Sequence, residues 1–354
     1  MSATQDRRPP IAPGLRAAPA RRRAARAFAS RAIAATAAAA AVLLAAAVPA
    51  RAQPAYPSKP IRMIIPLAAG SAVDNAARVL AQTMAQGLGQ SIVIENMPGA
   101  AGLIGAGKVA QMAPDGYTIG GFNDSILTMV PHVYPNVSYD ALKDFDPLSL
   151  VGTIEWGLVV KPDSPWRTAA EFLEAAKKSP GVVKYSSGGI GSPQHVGMAL
   201  LAEKAGRLDM LHVPYKGATP GAIAVASGEV DVGFQGLGTV TPLIKSGKLR
   251  LLAVGTRERL PIWPEVPTID ESALKGFFFN SWFAMVFPAG TPTAIVERVN
   301  AETRKALADP ATREKIGAQG LTIVGSTAAE MKTALKAQDA LYRKLIKDNG
   351  IKAQ

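Results

Sequence analysis

Short apolar runs alternate with amphipathic stretches along most of the chain. The clearest case begins with the apolar run 61–66, after which apolar residues recur at helical spacing from Val73 through Leu80 to Leu88. The same pattern predicts further strands at 91–95, 117–122, 183–187, 210–213, 230–234 and 249–256. It predicts helices at 102–112, 169–178, 193–205 and 220–227, and a mainly helical region from Pro292 onward. Strands that alternate with helices are typical of α/β proteins with parallel sheets.

The first 52 residues do not follow this pattern. Five arginines lie between Arg21 and Arg31, an alanine-rich apolar run follows at 32–48, and 50–52 reads Ala-Arg-Ala, a small-x-small cleavage site. Because the run is short for a membrane span, we predict a cleaved export signal at 1–52. This leader contributes nine Arg and one Asp, and so eight of the twelve net positive charges. The positive charge therefore gives no reason to expect a nucleic-acid partner.

Cysteine is absent from the sequence. Its absence excludes disulfides, thiolate metal sites, cysteine nucleophiles and a lipidated cysteine that would anchor an exported protein. We therefore expect a periplasmic protein without a lipid anchor. The roughly 300 residues after the leader are long enough to form two domains.

Two glycine-rich turns, at 66–74 and 186–195, each lie between a predicted strand and a predicted helix. A serine stands at the expected helix start in both, Ser71 in the first and Ser192 in the second. The free N–H groups and the positive dipole end of such a helix attract anions, and glycine lets a ligand approach the main chain. Together the two turns predict a clamp around a small anionic molecule, whereas either alone is also explained as a tight turn.

Catalytic and metal-binding alternatives have weaker support. Gly99, Gly102 and Gly105 follow a predicted strand, but their Gly-x-x-Gly-x-x-Gly spacing differs from the dinucleotide fingerprint. Ser192 and His195 share one helical turn, and that does not by itself assemble a triad with an orienting acid. The three histidines have no ligand-like spacing, so we expect no metal and no other cofactor. A hydrolase-like periplasmic enzyme that uses the same site stays open as an alternative.

Eight segments after the leader carry family motifs. They are Tyr-Pro-Ser-Lys-Pro-Ile-Arg at 56–62, the turn at 66–74, Glu-Asn-x-Pro-Gly-Ala-x-Gly at 95–102, Ala-Pro-Asp-Gly-Tyr at 113–117, the segment 185–195, His-Val-Pro-Tyr-Lys-Gly at 212–217, Gly-Lys-Leu-Arg at 247–250 and Val-Pro-Thr at 266–268. In this order they resemble the periplasmic solute-binding proteins of tripartite tricarboxylate transporters, the Bug family. Each motif is weak alone, but the ordered set spans essentially the whole mature chain.

The resemblance implies an α/β, two-lobed periplasmic-binding-protein fold of type II-like form, with two α/β domains joined by two crossing strands. We place the crossings at 151–160 and 281–287. The first lobe is then 56–155 plus 285–354, and the second lobe is 156–284. The implied function is that of a receptor that captures a small carboxylate by lobe closure for integral-membrane transporter subunits. We expect a monomer, and a ligand-binding component of a sensing system is the other alternative.

The resemblance also implies a set of ligand-binding residues in the cleft. From the first lobe they are Leu67, Gly70, Ser71, Asp74, Asn123, Asp124 and Ser125. From the second lobe they are Ser187, Gly188, Gly191, Ser192, Gln194, His195 and Gln235.

Three features of this set affect which ligand can bind. The family commonly has Pro-Pro-Gly-Gly in the first turn, where residues 68–71 of this chain read Ala-Ala-Gly-Ser. Asp74 lies three residues after Ser71, which fits either a capping box or a hydrogen bond to a ligand hydroxyl or ammonium. His195 can donate to a ligand or bond locally. We expect the second turn, with three glycines, to hold the anionic end and the first turn to decide selectivity.

Overall fold

In a computed structural model, the described residues are 56–348 and 350–352. The predicted export signal lies outside them. The elements up to the middle of the chain are β1 (Ile61–Ile65), α1 (Ala72–Leu88), β2 (Ile92–Asn96), a 3₁₀ turn (Ala100–Gly102), α2 (Leu103–Ala110), β3 (Thr118–Asn123), α3 (Asp124–Thr128), α4 (Val130–Val133), β4 (Phe145–Ile154), β5 (Trp156–Val160) and α5 (Ala169–Lys178). They continue with β6 (Lys184–Ser187), α6 (Pro193–Lys204), β7 (Leu211–Pro214), α7 (Ala218–Ser227), β8 (Val232–Gly236), α8 (Leu237–Lys245), β9 (Arg250–Val254), α9 (Ile269–Ser272), β10 (Ser281–Pro288), α10 (Thr293–Ala308), α11 (Pro310–Gly317), β11 (Leu321–Ile323) and α12 (Ala328–Asp348).

The strands form two sheets of the same design. The six-stranded sheet has the order β11-β4-β10-β3-β1-β2, and the five-stranded sheet has the order β7-β6-β8-β5-β9. In the first, β1 runs parallel to β2 and β3; in the second, β6 runs parallel to β7 and β8. The predicted α/β fold with two lobes is confirmed.

The sheets are mixed, however, and the expectation of parallel sheets holds only for three strands in each. Strand β10 is antiparallel to β3 and β4, and β5 is antiparallel to β8 and β9. The reason is topological, because β5 and β10 each enter their sheet from the other lobe and not through a crossover helix.

Burial explains why the first of these elements forms where the sequence predicts it. Strand β1 is an almost continuous apolar run, and Met63, Ile64 and Ile65 are completely buried, as expected for a strand covered on both faces. Helix α1 begins after Ser71, which caps it, and ends at Gly89 in the left-handed conformation that glycine adopts readily. The glycine and the serine therefore define the ends of the helix that follows β1.

The chain passes from the first sheet to the second at Glu155, between β4 and β5. It returns through residues 255–280, and β10 lies in the first sheet from Ser281 onward. The indole Nε1 of Trp156 donates to Ser281 Oγ over 2.9 Å, so the two connections are joined by a buried hydrogen bond. Within 56–348 and 350–352, no helix has both the length and the apolar character needed to cross a membrane.

Candidate functional site

Six strand-to-helix junctions meet around one cavity. The carboxyl ends of β1, β2 and β3 come from the first lobe, and those of β6, β7 and β8 come from the second. Carboxyl ends of parallel strands are where α/β folds place their ligands. The wall contains Pro66, Leu67, Ser71, Ala72, Val73, Pro98, Gly99, Ala101, Gly102, Asn123, Ser125, Ile154, Trp156, Gly188, Ser192, Pro193, Gln194, Gly217, Ala218, Gly236 and Thr239.

The cavity is small because the lobes are in contact. The centre of a water-sized sphere can occupy about 40 Å³ of it. Thr219 Oγ1 donates to Ala69 O across the cleft over 2.9 Å, and Tyr134 OH donates to Ile190 O over 3.1 Å. The structure therefore has the closed arrangement of the two lobes.

No ionisable side chain is among the described residues that line the cavity. The polar groups of the wall are backbone amides, hydroxyls and carboxamides. Val73, Gln194 and Ala218 lie in the first turns of α1, α6 and α7, and their N–H groups have no acceptor among the described residues. On this wall, the groups that can attract an anion are therefore the helix N-termini and the polar side chains.

Ser71 and Ser192 hold equivalent positions in the two lobes. Each caps its helix: Ser71 Oγ accepts the Asp74 amide at 3.3 Å, and Ser192 Oγ accepts the His195 amide at 3.5 Å. Both are buried on the wall of the cavity, and neither hydroxyl donates to an acceptor in the described part of the chain. Each hydroxyl can therefore donate to a molecule in the cavity.

Neither Asp74 nor Gly70 is on the cavity wall: Asp74 lies behind the first turn, and Gly70 faces the other lobe, where a Cβ built on it would lie 3.6 Å from Thr219 Oγ1. The Asp74 carboxylate accepts from Gly70 N at 2.9 Å, from Asn96 Nδ2 at 2.9 Å and from Arg78 twice at 3.0 Å. Burial alone would raise the Asp74 pKa, but the hydrogen bonds from Arg78, Gly70 and Asn96 outweigh it, and the pKa is lowered. Both oxygens are thus engaged within the protein. Asp74 shapes the turn by accepting the Gly70 amide. In a capping box it would instead accept the amide of the N-cap residue, Ser71.

Three predicted site residues lie where β3 ends and α3 begins, and their side chains point to two different faces. Asn123 and Ser125 line the cavity, and Ser125 Oγ donates to Asn123 Oδ1 over 3.0 Å. This bond leaves the Asn123 amide NH₂ available toward the cavity.

Asp124 lies on the other side of this turn, fully buried and away from the cavity wall. Its Oδ2 accepts from Gln338 Nε2 at 3.1 Å, and its Oδ1 has no hydrogen-bond partner. Because Trp282 Nε1 can only donate, its bond to Gln338 Oε1 fixes Nε2 as the donor to Asp124. Burial raises the Asp124 pKa well above its usual range.

Of the residues predicted in the second lobe, Gly188, Ser192 and Gln194 line the cavity. Gln235 lies behind the wall, where its Oε1 accepts from Gln194 Nε2 at 3.3 Å. Gly191 faces the other lobe, and a Cβ built on it would lie 3.4 Å from Val133. These residues support the second turn from behind or from the side.

Ser187, His195 and His212 form a second layer behind this turn. The His195 ring stacks on the His212 ring with centroids 4.2 Å apart, and its Nδ1 accepts the Gly191 amide at 3.1 Å. His212 Nε2 lies 2.5 Å from Ser187 Oγ. Burial lowers the His195 pKa to about 3, with His212 adding to the effect, and burial lowers the His212 pKa to about 4. Both imidazoles are therefore neutral at neutral pH.

The contact between the two histidines could not be predicted from their spacing in the sequence. It forms only in the folded sheet, where β7 brings His212 beside α6. No group of three or more residues able to hold a metal ion is present within the described ranges.

Sequence reasoning missed two of the six junctions. The turn 98–102 lies within a family motif and a candidate dinucleotide motif, and Gly217 ends another family motif, but neither turn is predicted to contact a ligand. A glycine directly between a strand and a helix is the signal that could have revealed both. Thr239 was missed for another reason, because nothing in its local sequence distinguishes it from an ordinary helical residue.

Two facing α/β lobes, with helix N-termini around the cavity between them, define the class of solute-binding proteins. The family model for the "Tripartite tricarboxylate transporter family receptor" matches residues 76–351, and the chain belongs to this family. This confirms the family resemblance derived from the sequence motifs.

Three solved structures have the same fold. The periplasmic binding protein BugD is 33% identical, with a TM-score of 0.80 over 84% of this chain and 100% of its own. Rpa4515 of R. palustris, solved with adipate, is 30% identical, with a TM-score of 0.81 over 84% of this chain and 99% of its own. MatC from Rhodopseudomonas palustris, solved with bound malate, is 27% identical, with a TM-score of 0.78 over 82% of this chain and 100% of its own.

Proposed function

We propose that the cavity binds a small dicarboxylate. The observation that carries this proposal is the set of free amides and hydroxyls from both lobes around a cavity with no ionisable side chain on its described wall. One carboxylate would bind the first turn of α1, and the other would bind the first turns of α6 and α7. Relatives solved with adipate and malate, which both have two carboxylates, support a ligand of this class.

The hydrogen-bonding groups on the wall are numerous enough to account for a micromolar affinity. A micromolar Kd corresponds to about −8 kcal/mol. A hydrogen bond to a charged group contributes about 1.5–3 kcal/mol net, so several bonds from the amides and hydroxyls are needed. The wall offers at least three amides (Val73, Gln194 and Ala218) and two serine hydroxyls, and water can bridge further contacts.

The predicted site residues then divide into two roles. We propose ligand contact for those on the wall, which are Leu67, Ser71, Asn123, Ser125, Gly188, Ser192 and Gln194. We propose a supporting role for those that are not on the wall, which are Gly70, Asp74, Asp124, Ser187, Gly191, His195 and Gln235.

The mechanism that we propose is closure of one lobe on the other around the ligand. The first lobe is 56–155 plus 285–354, and the second lobe is 156–284. The second boundary between them falls inside β10. Since the ligand bridges the two lobes, it stabilises the closed state, which membrane transport subunits then recognise. The chain acts as an exported monomer, released from its leader into the periplasm without a lipid anchor.

We also propose that the protein performs no chemistry on its ligand. Ser187 and His212 form a serine–histidine pair, but Ser187 Oγ also bonds the Gly189 amide at 3.1 Å and does not line the cavity. His212, with its lowered pKa, is a weak base. In the first turn of α6, His195 Nδ1 bonds Gly191 N and not the Ser192 hydroxyl. These contacts favour a receptor over a hydrolase.

Native mass spectrometry of the freshly purified chain from Gln53 onward tests the proposal. We expect a mass increase that matches one small carboxylate, and the same acid recovered unchanged after incubation and denaturation. Where purification strips the ligand, added adipate or malate should restore a 1:1 complex. Conversion of the ligand on incubation would instead identify an enzyme, and failure of a panel of mono-, di- and tricarboxylates to bind would refute the receptor proposal.

A further inference from the structure

The first turns of α1 and α8 are in contact across the cleft. A Cβ built on Gly238 would lie 2.8 Å from Ala72 Cβ and 3.0 Å from Ala72 Cα. Asn75 Nδ2 also donates to Gly238 O over 2.9 Å. Both helix ends carry partial positive charge, and the Asp74 carboxylate in the first turn of α1 is engaged by Gly70, Asn96 and Arg78.

Thr239 lies at this meeting point. Its Oγ1 accepts the Ala72 N–H at 3.0 Å, so a side chain of the second lobe caps the first amide of the first-lobe helix. Thr239 is 7% exposed and lines the cavity. Its hydroxyl hydrogen has no acceptor within the part of the chain that the structure describes. The hydroxyl thus accepts from one lobe and can still donate into the cavity.

We propose that Thr239 is a ligand-binding residue that couples ligand contact to lobe closure. Its hydroxyl donates to a carboxylate oxygen of the ligand while it accepts the Ala72 amide from the opposite lobe. This inference rests on the proposed function, because it assigns one more contact to the same anion site.

Two physical effects make this arrangement cooperative. An N–H···O–H···O⁻ chain polarises the central hydroxyl, so each of its hydrogen bonds strengthens the other. The ligand carboxylate also adds negative charge beside the two positive helix ends. Since Ala72 and Thr239 belong to different lobes, the chain is complete only when the lobes are closed.

A set of three variants separates this role from a structural one. Thr239→Val removes the hydroxyl and keeps the shape, whereas Thr239→Ser keeps the hydroxyl. Thr241→Val is the matched control, because Thr241 is also buried on α8, but its hydroxyl bonds Leu237 O within the same helix. Thermal melting of each free protein verifies that it folds.

Adipate and malate are titrated into each variant by calorimetry. We expect Thr239→Val to weaken the Kd roughly tenfold to a hundredfold, and Thr239→Ser and Thr241→Val to stay within about threefold of the original chain. Equal Kd values for Thr239→Val and the original chain would overturn the inference and leave the receptor proposal intact. If the original chain binds no dicarboxylate, both proposals fail.

Hydrogen exchange with saturating ligand provides the second measurement. The Ala72 amide should exchange faster in Thr239→Val than in Thr239→Ser, because only the serine retains the acceptor. Equal exchange rates in the two variants would overturn the inference even if affinity had changed.

Discussion

The substitution Gly238→Ala should weaken ligand binding without destabilising the free protein. Gly238 lies in the first turn of α8, where alanine is favoured over glycine by about 1 kcal/mol. In the closed arrangement, however, the new Cβ would lie 2.8 Å from Ala72 Cβ and 3.2 Å from the Gln319 carbonyl oxygen. Carbon atoms pack at about 3.5–4.0 Å, so the lobes would have to separate by roughly 1 Å.

Such overpacking costs about 1–3 kcal/mol, which corresponds to a Kd weaker by roughly 5- to 150-fold. The clash exists only when the lobes touch, so the melting temperature of the open, ligand-free protein should stay the same or rise by about 2 °C. Calorimetric titration and thermal melting measure the two effects. Gly317→Ala is the matched control, since it is also a helical glycine and nothing lies within 4 Å of its Cβ. Dicarboxylate binding by Gly238→Ala as tight as by the control would refute closure at this contact.

Three further predictions concern buried titratable groups. Asp124→Asn should raise the free energy of unfolding at pH 7, because the raised pKa of Asp124 makes its ionisation in the folded protein costly. This gain should shrink as pH falls from 7 toward the ordinary aspartate pKa of 3.8 and be absent below it, and a loss of stability at pH 7 would show that the charge is compensated. Asp74→Asn should lower the free energy of unfolding at pH 7, because the lowered pKa of Asp74 shows that its charged form is stabilised in the folded protein. The loss should become smaller as pH falls below the usual carboxyl range, which denaturant unfolding at pH 7 and pH 3 tests. The His195 pKa of about 3 predicts that the free energy of unfolding falls as pH drops from about 6.5 toward 3, because the unfolded chain takes up the proton first. His195→Gln should flatten this pH dependence, and an unchanged slope would contradict the lowered pKa of His195.

The sequence predicted elements well where periodicity was strong. Helix α5 matches its predicted bounds, and β1 and α1 match theirs to within a residue. Four short helices, α3, α4, α8 and α9, were not predicted. Residues 124–130 are buried on every side, so they show no amphipathic period, and α8 contains Pro242 in its interior. Strand β11 has only three residues, too few for an alternating pattern.

The candidate site was predictable only where its signal is local. Ser71 and Ser192 could be predicted because a helix cap beside glycine is written in adjacent residues. Thr239 could not be, because its partner Ala72 is 167 positions away in sequence. Side-chain direction was equally hidden, since neighbouring residues in the turn after β3 point to opposite faces and Asp124 faces Gln338 and not the cavity.

The central claim is that amides and hydroxyls of both lobes hold an anion with two carboxylates. Calorimetric titration of the chain from Gln53 onward with malate, and in parallel with its neutral dimethyl ester, tests this claim most directly. We predict 1:1 binding of malate near the micromolar range, at about −8 kcal/mol, and binding of the ester at least about 100-fold weaker because it lacks both charges. Equal affinity for the acid and the ester would contradict an anion site.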